Sequence, residues 1–120
     1  MTSKMIRLLA ATAGLVCTTA AAASEIAIPL PEGARVASKD AVYDCEGEEL
    51  RVTYINATTI SLAVLDINGV TIVASNVISA SGAKYAGAQY IWWTKGDSAD
   101  LYDLTSRIGE TPIMSCVAES

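Results

Sequence analysis

A 120-residue chain with 13 acidic and 8 basic side chains, net charge −5, has room for one domain and carries the wrong sign of charge for nucleic acid. It contains no histidine, so the commonest general base and the commonest metal ligand are missing together. That excludes Ser-His-Asp and Cys-His catalysis. Without histidine, a two-thiolate zinc site would also lack ligands, so no metal is expected.

Residues 1–23 read as a cleaved secretory signal. Lys4 and Arg7 form the positive n-region, Ile6 to Val16 the apolar run, and Ala21-Ala22-Ala23 the small-residue cleavage site before Ser24. The run is shorter than the ~20 residues a spanning helix needs. Cys17 raises lipid attachment, but Val16 and Gly14 stand where a small residue and a leucine are expected, a poor context. A free periplasmic protein is the expectation, with a lipid anchor at Cys17 as the alternative. Residues 24–120 keep six basic and thirteen acidic side chains, a balance of −7. This favours a basic partner, although simple solubility would also account for it.

The mature part keeps Cys45 and Cys116, and an even count in an exported chain implies a disulfide. Residues 24–40 read as an extended arm, because Pro29 and Pro31 deny it a helix or a central strand. The domain then occupies residues 41–120. Ala41 to Cys45 forms a short strand ending at the turn Glu46-Gly47-Glu48. Leu50 to Ile55 alternates with period two, placing Leu50, Val52 and Tyr54 on one face. Thr59 to Ile67 is a β-branched strand with Ile60, Leu62 and Val64 on one face. Asn68-Gly69 signals a type I′ hairpin turn, and Val70 to Ile78 returns from it. After residue 97, Ala99 to Leu104 and Ile113 to Val117 are strands separated by the breakers Gly109 and Pro112. Short strands every eight to twelve residues, with no helix between them, predict an all-β sandwich or a small closed barrel.

The stretch Ser79 to Asp97 holds both tryptophans and two of the five tyrosines. Its first part, rich in Ser, Ala and Gly, suits a loop that approaches another surface closely. Its second part, Gln89 to Lys95, reads as a strand presenting a cation at the turn Gly96-Asp97. In that strand Tyr90, Trp92 and Thr94 share one face, and Ile91, Trp93 and Lys95 the other. One tryptophan is then core and the other outer. A Ser81/Lys95 dyad would need a buried, deprotonated lysine, whereas Lys95 leads into a polar turn. The carboxylate pairs, such as Asp97 with Asp100 or Glu48 with Glu49, read as solvated surface. No phosphate-cradling loop appears, so neither an enzyme nor a cofactor is expected.

Ser81-Gly82-Ala83-Lys84-Tyr85, followed by Tyr90 and then Lys95-Gly96, closely resembles the paired motifs of the bacterial inhibitors of C-type lysozyme. The separation of 14 between Ser81 and Lys95 fits, as do Tyr43, Cys45, Gly47 and Cys116. Lys84 stands where Arg is also usual, and Trp93 extends the aromatic run. The resemblance covers essentially the whole mature domain. It implies an eight-stranded antiparallel barrel that plugs the lysozyme cleft and protects peptidoglycan, with Ser81 and Lys95 reaching the two catalytic carboxylates. It also implies that Gly82, Tyr85, Tyr90 and Gly96 belong to the binding site. The partner is then a C-type lysozyme, and homodimer formation stays open. A second reading is a small barrel binding an envelope ligand, with Trp92 or Trp93 lining a cavity.

Overall fold

The computed structural model describes residues 10–18 and 24–120. The cleavage site Ala21-Ala22-Ala23, Lys4 and Arg7 lie outside the described residues. Among the described residues no helix is long and apolar enough to cross a membrane. Eight strands follow in order: β1 (Ala37–Cys45), β2 (Glu48–Ala57), β3 (Ile60–Ile67), β4 (Val70–Val77), β5 (Ala83–Gly87), β6 (Tyr90–Lys95), β7 (Ser98–Asp103) and β8 (Met114–Ala118). Each pairs antiparallel with its neighbours, and β8 closes on β1 to complete a barrel. The expected small antiparallel barrel closed by one disulfide is the fold found.

The turns follow from their residues. Asn68 and Gly69 both take positive φ, 52° and 79°, and the Gly69 amide donates to Asp66 Oδ1 at 3.0 Å. That is the local geometry a right-twisted two-residue hairpin requires. The Glu46-Gly47 turn repeats it, with the Gly47 amide on Asp44 Oδ1 at 2.9 Å.

Alternate residues of every strand point inward and fill the barrel. The core includes Tyr43, Leu50, Val52, Ala63, Leu65, Tyr85, Trp92 and Leu101. Trp92 is wholly buried and meets Tyr43 edge-on, with centroids 5.0 Å apart. Its indole N–H donates to the Tyr54 hydroxyl at 2.9 Å, and that hydroxyl bonds Tyr43 Oη at 2.7 Å. A large polar-tipped aromatic is thus accommodated in the interior without an orphaned donor. Ala63 faces Tyr54 across the β2–β3 ladder, the small residue leaving room for the ring.

The closing seam is short. β1 and β8 share two paired positions, Tyr43 with Ala118 and Asp44 with Val117. The next positions in that register are Cys45 and Cys116, and they are joined by the predicted disulfide. Both sulfurs belong to buried residues.

Two local expectations need correction. The strand expected to start at Ala41 begins at Ala37, because residues 37–40 pair with residues 53–56 of β2. Thr53 Oγ1 donates to Asp40 Oδ1 at 2.7 Å, fastening that extension. The arm therefore ends at residue 36. Ile60, Leu62 and Val64 share a face as expected, the outer one, while Ala63, Leu65 and Ile67 point inward. Ile60 and Leu62 are shielded in part by Ile26, Ile28, Leu30 and Val36 of the arm, which border a common hollow with them. Finally, the small-residue run is not one loop. Its second half is β5, which pairs with β4 on one side and β6 on the other. Gly87 allows this, since a Cβ there would stand 2.7 Å from Ala74 Cα.

Candidate functional site

The β5–β6 hairpin builds one rim of the barrel. Its register pairs Ala83 with Thr94, so the residues just beyond, Gly82 and Lys95, leave the ladder side by side. Gly82 has φ +64°, and a Cβ on it would collide with the Thr94 carbonyl oxygen and sit 2.8 Å from Lys95 Cγ. Only glycine lets the 78–82 loop press this closely against the end of β6.

Hydrogen bonds fix the loop in that position. Trp93 Nε1 donates to the Ser81 carbonyl at 2.8 Å. Ser79 Oγ donates to the carbonyls of Ser81 at 3.1 Å and Gly82 at 3.2 Å. Ser81 and Lys95 are both exposed at this rim. Lys95 Nζ lies 4.5 Å from the centroid of the Trp93 ring, and Lys84 Nζ 4.6 Å from the same ring. Among the described residues neither lysine is salt-bridged to a carboxylate. The Gly96 turn, φ +58°, carries the chain into β7.

The predicted site residues therefore divide. Ser81, Gly82, Lys95 and Gly96 are brought together on one rim. Tyr85 is buried at 7% exposure, its ring 5.8 Å from that of Tyr54, so it holds β5 from inside. Tyr90 opens β6 opposite Gly87 and packs on the core. Five residues of strand, about 17 Å, separate it from Lys95. Both tyrosines are part of the packed scaffold below the rim.

Two contacts escaped the sequence reading: the indole N–H of Trp93 on the Ser81 carbonyl, and the placement of Lys84 on the Trp93 ring. The outer-face parity of Trp93 and Lys95 was a usable signal. The pairing of Lys84 with Trp93 required the cross-strand register. Burial raises the Tyr54 pKa, and its bond to Tyr43 adds to the rise, so this central hydroxyl stays protonated across the physiological range. The rim offers solvent-facing donors and cations. It lacks the desolvated lysine of a Ser/Lys dyad, since Lys95 is exposed. Trp92 fills the interior, whereas Trp93 borders a shallow outer hollow with Ile91, Tyr102 and Leu104.

The class is that of small disulfide-closed antiparallel barrels, here with an exposed serine before β5 and an exposed lysine at the end of β6. The model of the family described as membrane-bound lysozyme-inhibitor of c-type lysozyme matches residues 43–108, and the chain belongs to that family. A membrane-bound lysozyme inhibitor of C-type lysozyme from Pseudomonas aeruginosa is 51% identical over 77 residues, 62% of this chain and 61% of that protein. A protein of the same name from Cupriavidus necator is 37% identical over 119 residues, covering 96% of this chain and 95% of the relative. The crystal structure of Pseudomonas aeruginosa MliC in complex with hen egg white lysozyme superposes with a TM-score of 0.67 at 40% identity. That match covers 82% of this chain and all of that one.

Proposed function

We propose that this protein inhibits C-type lysozyme stoichiometrically by inserting the Ser81–Lys95 rim into the catalytic cleft. The observation that carries the reading is the rim itself: an exposed cation and an exposed serine, side by side and without ion pairs among the described residues. The relative solved with hen egg white lysozyme supports the choice of partner.

The chemistry is complementary. A retaining glycosidase such as lysozyme sets two carboxyl groups about 5 Å apart, one as acid and one as nucleophile. An inserted ammonium favours the ionised form of both groups. It thereby lowers the pKa of the acid, which must be protonated to work. The Ser81 hydroxyl donates or accepts, and so suits either carboxyl state. The barrel behind the rim excludes the sugar chain. The −7 balance of residues 24–120 steers the protein toward a basic lysozyme, an effect weakened by salt.

Lys95→Ala is expected to weaken inhibition by at least ~2 kcal/mol, roughly thirtyfold, as for a desolvated charged anchor. Lysozyme turbidity assays titrated with parent and variant measure this. Equal inhibition by the two proteins rules out the insertion mechanism.

For localisation, the proposal is export and release into the periplasm after cleavage before Ser24. The relatives' description as membrane-bound supports the alternative, a lipid on Cys17, which is a free and exposed cysteine. The intact mass of the mature protein separates the two: a chain starting at Ser24, or one starting at an acylated Cys17.

A further inference from the structure

We infer that Trp93 is the positioning residue of the inhibitory rim, holding the Ser81 loop and the Lys95 ammonium in their binding arrangement before any partner arrives; this rests on the inhibitor reading above. Three contacts converge on one indole. Its N–H donates to the Ser81 carbonyl at 2.8 Å. Its ring lies 4.5 Å from Lys95 Nζ and 4.6 Å from Lys84 Nζ. No other side chain touches both halves of the rim through directional contacts of this kind among the described residues.

The physical consequence is pre-organisation. A free lysine side chain has many rotamers to lose on binding. Stacking on Trp93 restricts Lys95 in advance, and the N–H bond does the same for the loop carrying Ser81, so less ordering is left for association. Lys84 Nζ stacks on the same ring, so Trp93 carries two ammonium groups at this end of the hairpin.

The test combines a spectroscopic measurement on the free protein with a mutant cycle. In the parent, ring-current shifts move the ε-methylene protons of Lys95 and Lys84 upfield, and Trp93→Ala abolishes them. Trp93→Ala weakens lysozyme inhibition by roughly tenfold. Trp93→Phe, which keeps the aromatic face and drops the N–H, retains the lysine shifts and loses only part of the inhibition. In a Lys95→Ala background the Trp93→Ala effect shrinks to about twofold, because the two residues act as one unit.

A Trp93→Ala loss of equal size in both backgrounds makes Trp93 an ordinary contact residue and overturns the inference. So does normal inhibition by Trp93→Ala, or absent lysine shifts in the parent. If Lys95→Ala alone inhibits like the parent, the inhibitor reading has failed and the positioning role falls with it. In that case the lysine shifts still report whether the stack exists.

Discussion

Gly82→Ala tests whether the rim depends on close backbone approach. Two costs arise at this position. An L-residue at φ +64° pays about 1–2 kcal/mol for the left-handed conformation. The added methyl also meets the Thr94 carbonyl and stands 2.8 Å from Lys95 Cγ. The carbonyl belongs to the β5–β6 ladder and cannot yield without disturbing the pair Ala83–Thr94. A forced shift of packed backbone adds about 1–3 kcal/mol. Gly69 supplies the control, because its φ is +79° but a Cβ there meets nothing within 4 Å. Gly69→Ala should therefore show only the conformational cost. Urea unfolding of both variants isolates the difference, and lysozyme titration shows its functional consequence. Gly82→Ala should also lose inhibition at least roughly tenfold more than Gly69→Ala, the counterpart of a 1.4 kcal/mol difference. Should the two variants match in both stability and inhibition, the contact between the loop and β6 plays no part in the site.

Two further perturbations address the scaffold. Tyr54→Phe removes the acceptor of the wholly buried Trp92 N–H and should cost about 1–3 kcal/mol in urea unfolding. It should also blunt alkaline unfolding: the folded pKa of Tyr54 is raised, so its contribution is complete below the unfolded value near ~10 and declines as pH rises above it. A parent and variant with identical stability profiles at high pH would contradict this. Replacing Cys45 and Cys116 together by Ala opens a loop with a sequence separation of 71 and should lower stability by about 4 kcal/mol in the chain-entropy model. An unchanged urea midpoint would refute it.

Period-two alternation was enough to sort the central aromatics. It put Trp92 and Trp93 on opposite faces, and they are the buried and the outer tryptophan. The Asn68-Gly69 turn was equally legible, since few sequences other than this accept two left-handed residues in succession. In β3 alternation grouped Ile60, Leu62 and Val64 but left open which face is inward, because both faces are apolar. Ile60, Leu62 and Val64 look as core-like as Ala63, Leu65 and Ile67, and only the neighbouring ladders decide which set points inward. β5 was hidden for a different reason. Ala83 to Gly87 lacks the β-branched residues that mark a strand, and its turn to β6 puts Ala88 at φ 48° where glycine would have been the signal. Its pairing on both sides supplies what its composition does not.

That overlooked strand determines the geometry of the site. In an up-and-down antiparallel barrel, connections alternate between the two ends. The β4–β5 loop carrying Ser81 and the β6–β7 turn after Lys95 therefore share an end, because β5 descends and β6 returns. Had residues 79–88 formed one long loop, β6 would run the other way. Its six residues would then carry Lys95 about 20 Å from Ser81, to the opposite rim. At that rim lie the β1–β2 and β3–β4 turns with Asp44, Glu46, Glu48, Glu49 and Asp66. A lysine among those carboxylates would be neutralised by its own chain. The spacing between Ser81 and Lys95 thus has a structural meaning: it is the length of one complete hairpin, which returns the cation to the serine and keeps it clear of the acidic end.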